Sequence, residues 1–196
     1  MVPSFADVLA LRPAAIAVDM PIGLADAGPR ACDVEVRRRL GPRRGSVFPA
    51  PIRAVLEEVT YAGALAAGRA HDGRGMSKQS FHLLPKVREL DAIATRARQR
   101  TLVECHPELC FTMLRGGTPC EHPKRTPAGR AERLAALRTV FADVEEHLAA
   151  PRRGAKPDDV LDAFATAWTA RRVVVGGAER IGGHLDGRGL RMEIVV

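Results

Sequence analysis

The chain has 196 residues, enough for one domain with a buried core, and its 46% hydrophobic and 27% charged content exclude a low-complexity or disordered chain. Lys and Arg outnumber Asp and Glu by 30 to 23, for a net charge of +7. That excess favours a polyanionic partner such as nucleic acid, although an Arg-rich surface alone produces the same sum. Aromatic residues are only 4%, which argues against a single-strand binder built on stacked rings.

The first element in chain order is "SFADVLAL", a short helix with Ser4 as its N-cap. "AAIAVD" follows as a buried strand bounded by Pro13 and Pro21, and it ends on a carboxylate, Asp19. "RACDVEVRRRLG" has helical character and stops at Gly41 and Pro42, and "RRGSVFPAPIR" is a Pro-punctuated loop. Apolar residues from Ile52 to about Ala70 keep a helical period. "HDGRGMSKQS" is a polar turn before another helix with Leu83, Leu84, Val87, Leu90 and Ile93 inward. "TLVEC" is a second strand ending in an acid, Glu104, and "PELCFTML" is a helix opened by Pro107. After the loop "GGTPCEHPKRTPAG", "RAERLAALRTVFADVEEHLA" reads as one amphipathic helix. "PRRGAK" is a linker, "PDDVLDAFATAWTARRVVV" a helix with acids in its first turn, and "GLRMEIV" a closing strand. The pattern is α/β, but with only three clear strands it is short of a comfortable sheet.

Four cysteines without a C-x-x-C pair, and no leader-like N-terminus, lead to the expectation of reduced thiols in a cytoplasmic protein. The set Cys105, His106, Cys110, Cys120 and His122 matches no standard closed zinc spacing. No run reaches the ~18 apolar residues of a membrane span.

Three places hold carboxylates that solvation does not explain. Asp19 and Glu104 each end an apolar strand, where open α/β sheets place ligands. Asp158 and Asp159 stand one turn before Asp162, so like charges share a helix face and a divalent cation would relieve them. Acids are favoured in a first helical turn in any case, and Asp19 can equally serve a local turn. "GRGMSKQS" lacks P-loop spacing, though Arg74 and Lys78 can reach phosphate from a turn. His106 reads as a base, a ligand or a helix cap.

Several segments together resemble one family, the domain of unknown function 429 family, whose members are predicted nucleases with a ribonuclease H-like fold. The segments are "VDMPIGL", "RACDVEVRRRLG" with "SVFPAPIR", "GMSKQSFHLLPKVRELD", "VECHPELCF", "PKRTPAGRAERLAAL", "DDVLDAFATAWTA" and "GRGLRMEIV", in order over nearly the whole chain. The resemblance implies a single domain over residues 1–196, a mixed sheet flanked by helices, with a helical insertion at about 30–99. It also implies Mg²⁺- or Mn²⁺-dependent hydrolysis of phosphodiester bonds in nucleic acid. Asp19, Glu104, Asp159 and Asp162 would be catalytic and would ligate the metal, with Asp158 as an alternate. Glu108 belongs with His106 to the motif "ECHPE". Lys78, Gln79, Lys86, His106, Lys124 and Arg133 would line the substrate path. One departure is that the family's opening β-hairpin, with its foremost Asp, has no counterpart before Asp19. The expectation is therefore a shortened N-terminus, an incomplete metal site and a sheet edge that a dimer would cover. The alternatives are a catalytically silent nucleic-acid-binding or interaction module, and an enzyme for a phosphorylated small molecule.

Overall fold

A computed structural model describes residues 4–150 and 154–196. The linker expected at residues 151–156 therefore lies partly outside the described residues. Helix α1 (Phe5–Ala10) begins where expected: the Ser4 hydroxyl accepts the Asp7 amide at 3.1 Å. Strand β1 (Ile16–Val18) leads to Asp19, and α2 (Ala31–Leu40) ends at Gly41, whose φ of 49° closes the helix. Two 3₁₀ turns, Gly41–Ser46 and Arg53–Glu57, flank the Pro-rich loop.

The helix expected from Ile52 to about Ala70 is two pieces. The 3₁₀ turn stops at Glu57, and α3 (Tyr61–Asp72) starts afresh with Thr60 as N-cap, its hydroxyl accepting the Gly63 amide at 3.0 Å. That cap offers the backbone a better start than helix continuation, so the apolar period runs across a break. Helix α4 (Lys78–Ile93) is capped by Ser77 and tolerates Pro85. The third 3₁₀ turn (Arg98–Arg100) leads to β2 (Leu102–Glu104), then α5 (Pro107–Leu114). The long amphipathic segment also divides, into α6 (Pro127–Arg138) and α7 (Val144–Ala149). Helix α8 (Pro157–Val174) precedes a hairpin, β3 (Arg180–Leu185) and β4 (Arg191–Val195).

The fold is mixed α/β with small sheets. β1 and β2 pair in parallel, Val18 opposite Glu104, so the two strands finish side by side. β3 and β4 form a separate antiparallel pair with an irregularity between Gly182 and His184. Gln99 joins the two pairs: its side chain donates to the Arg191 carbonyl and accepts the Arg191 amide, both at 2.8 Å. The largest core packs α2, α5, α6, α8 and the hairpin around Phe111, Leu109, Leu137 and Leu161. A second core under α3 and α4 gathers Leu24, Ile52, Val55, Leu84 and Val87. All four cysteines are free and buried. No helix among the described residues is long and apolar enough to cross a membrane.

Candidate functional site

The two strand-end acids, neighbours in register, face different surroundings. Glu104 is buried and bonded to Arg30, which donates to both of its oxygens at 2.6 and 2.7 Å. The same guanidinium donates twice to Asp33, at 2.6 and 3.0 Å, and to the Gly23 carbonyl at 3.1 Å. The Ile22 amide completes the cage on Glu104 at 2.7 Å. Burial, then the Asp33 charge, pushes Glu104 up to about 7 against the pull of Arg30. Arg30 is itself desolvated, but two carboxylates raise it well above its ordinary value and keep it charged. Glu104, expected among the metal ligands, is thus committed to locking three chain segments together.

Asp19 points elsewhere. It is solvent-accessible, yet protein crowds it closely enough that burial raises its pKa, opposed by His106 and then Lys124. Helix α8 packs directly on β1, and Asp162 in its second turn feels the charge of Asp19. Asp162 carries a 2.6 Å ion pair with Lys124, and Lys124 also lies within electrostatic reach of Asp158 and Asp19. Burial raises Asp162, Lys124 lowers it, and Asp19 and Glu108 raise it further. Burial depresses Lys124, but the hydrogen bond and charge of Asp162, then Asp158 and Asp19, outweigh it and raise the ammonium. Lys124 therefore contacts one carboxylate, Asp162, and feels two more, Asp158 and Asp19, from beyond ion-pair distance.

The α8 acids divide in a way their spacing left open. Asp159 is exposed, and its carboxylate accepts the Lys156 amide at 2.8 Å as half of a capping box. Asp158 is buried, four residues from Asp162, and among the described residues no hydrogen-bond donor reaches its carboxylate. The alternate acid joins the cluster, and the expected one caps the helix.

Two residues within electrostatic reach of these acids each hold a buried, unpartnered atom. His106 caps α5, and its Nε2 lies 3.3 Å from the Ser46 carbonyl, which can only accept. In the neutral ring Nδ1 then holds the lone pair, and Nδ1 is buried without a partner. Glu108 accepts from Arg133 through one oxygen, and its other oxygen, Oε2, is buried and unpartnered.

Arg133, expected on the phosphate path, is fully buried. It donates to Glu108, to the Gly129 carbonyl at 2.7 Å and to the His122 carbonyl at 3.2 Å, and it lies over the Phe111 ring. With Glu132 it anchors the loop that presents Lys124. Glu132 accepts the Glu121 and His122 amides at 3.1 and 2.9 Å. The Thr126 hydroxyl donates to the Pro123 carbonyl at 2.8 Å and accepts the Gly129 amide at 3.0 Å. Pro123 and α6 approach so closely that a Cβ on Gly129 would meet the Pro123 oxygen at 2.0 Å. Among the described residues, the trio whose ligand atoms lie within 4.8 Å of one another is Glu121, His122 and Glu132. There Glu132 is already occupied by backbone amides, so the trio reads as a loop latch.

The remaining expected substrate contacts stand apart. Lys86 is exposed, pairs with Glu89 at 2.9 Å and lies over Phe5. Lys78 and Gln79 open α4, and Gln79 lines a cleft of about 340 Å³ floored by Pro51, Ile52 and Val55. Sequence reasoning missed Arg30 and Asp33. The available signal was the buried strand-end acid itself, which requires a cation unless it stays protonated.

Residues 1–186 match the sequence profile of a family described as "Protein of unknown function (DUF429)". Neither the curated proteins nor the solved structures contain a match.

Proposed function

The chain belongs to the family described as protein of unknown function (DUF429), and from that premise we propose that it is a metal-dependent phosphodiesterase acting on nucleic acid. We read its fold as a reduced ribonuclease H-like arrangement, in which the parallel pair β1–β2 and the packing of α8 on β1 correspond to the site-bearing part. The observation that carries the reading is the 2.6 Å pair of Lys124 with Asp162, with Asp158 and the strand-end Asp19 within electrostatic reach of the same ammonium.

The donor chemistry fits Mg²⁺ or Mn²⁺. Asp19, Asp158 and Asp162 supply hard carboxylate oxygens, but among the described residues these do not all lie within 4.8 Å of one another, so an ion would have to draw them together. Bound there, such an ion would supply Lewis-acid activation of a phosphodiester and of water. The chain's own groups do the rest. Lys124 offers an ammonium to a non-bridging phosphate oxygen. His106, held through Nε2 by the Ser46 carbonyl, presents Nδ1 as a proton acceptor. The Arg30–Glu104–Asp33 cage fixes the turn after Asp19 and keeps that acid in place. The net charge of +7 favours encounter with a polyanion.

The test incubates single-stranded, duplex and branched DNA and RNA with the protein and Mg²⁺ or Mn²⁺. Cleavage should require the ion and be lost in Asp162→Asn. Salt-sensitive binding without cleavage of any form would move the reading to a silent nucleic-acid-binding module. Metal-dependent hydrolysis confined to mononucleotides would move it to a small-molecule enzyme.

A further inference from the structure

Two cavities adjoin, one of about 340 Å³ and one of about 310 Å³, and Phe48 and Arg74 line both. Each is large enough for a small ligand. Phe48 is 55% exposed, and it is the one aromatic among the large apolar side chains that the described residues leave in water. The floor of the larger cavity is apolar, built from Pro51, Ile52 and Val55. Its rim is polar. The Ser77 and Ser80 hydroxyls lie there 2.8 Å apart, beside the exposed Gln79, whose side-chain amide has no partner among the described residues. Arg74 donates through Nε to Asp72, which the Gly28 amide pins at 2.6 Å. Among the described residues the two terminal guanidinium nitrogens of Arg74 have no partner, so its fork is open to an anion. Arg37 adds a second cation at the smaller cavity, held by the Val47 carbonyl at 2.7 Å. The acid lining that cavity, Asp33, is already neutralised by Arg30 at 2.6 Å.

An exposed ring, an apolar floor, a hydrogen-bonding rim and an open guanidinium fork suit a planar heterocycle that carries a phosphate. We propose that this cleft binds a nucleotide, with the base against Phe48, its polar edge at Gln79 and Ser80, and the phosphate on Arg74. Stacking on a single ring accepts any base, because every base has a π-face. The fork of Arg74 matches phosphate oxygens in a way a point charge does not. The cleft also adjoins the candidate site along the chain. Ser46, whose carbonyl lies 3.3 Å from His106 Nε2, stands two residues before Phe48, a span of at most about 7 Å. A strand with one phosphate near His106 would therefore have a neighbouring base within reach of the cleft. The inference rests on the nucleic-acid reading above for its substrate, and it requires no metal.

Calorimetric titration of the full chain in EDTA with ribonucleoside 5′-monophosphates, the matching nucleosides and inorganic phosphate tests the cleft without reference to cleavage. The monophosphates should bind more tightly than either nucleoside or phosphate alone. Phe48→Ala should weaken their binding at least about fivefold, the loss expected when a stacking ring is removed. Arg74→Gln should lower the monophosphates to the affinity of the nucleosides and leave nucleoside binding unchanged. Both side chains are exposed, so the melting temperature should hold in each variant and separate a lost site from a lost fold. No nucleotide binding by the parent, or binding unchanged in both variants, overturns the cleft; the phosphodiesterase reading then stands or falls on its own cleavage assay. Binding of 8-anilinonaphthalene-1-sulfonate that no nucleotide displaces also overturns it, because the occupant is then another apolar anion. Nucleotide binding that depends on Phe48 and Arg74, without cleavage of any polymer, supports the cleft and overturns the phosphodiesterase reading alone.

Discussion

Replacing Arg30 by Met removes the cation that three chain segments share. Its side chain is 3% exposed, and those of Glu104 and Asp33 are 7% each, so neither acid can recover its hydration without opening the structure. Met matches the length of the aliphatic stem, so the loss is one of charge and hydrogen bonds more than of volume. Four donations to the two carboxylates disappear, at 2.6, 2.6, 2.7 and 3.0 Å, along with the tie to the Gly23 carbonyl. Stranding buried acids in this way costs about 3–5 kcal/mol, a large share of the ~5–15 kcal/mol typical of a domain. With a urea slope of about 2 kcal/mol per molar, the midpoint should fall by about 2 M. Trp168, the chain's single tryptophan and a nearly buried one, reports the transition by fluorescence. The penalty should shrink at pH 5.5 relative to pH 7.5, because the stranded acids can take up protons there. A loss under about 1 kcal/mol at pH 7.5, or one independent of pH, would refute the claim that Arg30 carries the cage.

The pH profile of the parent provides another test. Glu104 is raised to about 7 when folded, so its contribution is fully present below the ordinary carboxylate range of about 4.3 and is lost as pH rises through about 7. Stability should therefore decline across that window in urea titrations, and Glu104→Gln should flatten the decline; an equally steep variant contradicts the assignment. Asp159→Ala should cost about 1 kcal/mol by loss of the α8 cap while leaving Mn²⁺ affinity unchanged. Asp158→Asn should do the opposite, weakening Mn²⁺ binding without lowering the melting temperature in EDTA. Gly129→Ala should cost about 1–3 kcal/mol, because its Cβ would meet the Pro123 oxygen, and calorimetry would show it as a lower melting temperature.

Local signals made much of the helical frame legible. Ser4 caps α1, Gly41 ends α2 and Pro107 opens α5 as their chemistry predicts. Strand β3 was not legible, because Gly182 and Gly183 break its pattern. Only the folded chain explains Gly182: its φ is 97°, and a Cβ there would meet the Met192 oxygen at 2.7 Å and the Cys32 side chain at 2.8 Å. The break between α6 and α7 spans Thr139–Asp143, without Gly or Pro, and there tertiary packing overrides a continuous helical period. At the site, Asp19, Asp162 and His106 could be singled out as residue types near strand and helix ends, and Lys124 only through the family resemblance. Which α8 acid joins them depends on rotation about the helix, and only coordinates separate Asp158 from Asp159. Arg133 shows the opposite limit. The family resemblance implied a phosphate contact there, yet the buried Glu108 claims it.

The most direct test of the cluster is the rate of Mn²⁺-dependent phosphodiester cleavage by the parent, Asp158→Asn and Asp159→Asn, measured side by side on whichever nucleic acid the parent cuts. Asp158→Asn should lose about two orders of magnitude or more, while Asp159→Asn stays within a few-fold of the parent. Cleavage by Asp158→Asn at the parent rate, or a loss confined to Asp159→Asn, would contradict a site built from Asp19, Asp158 and Asp162.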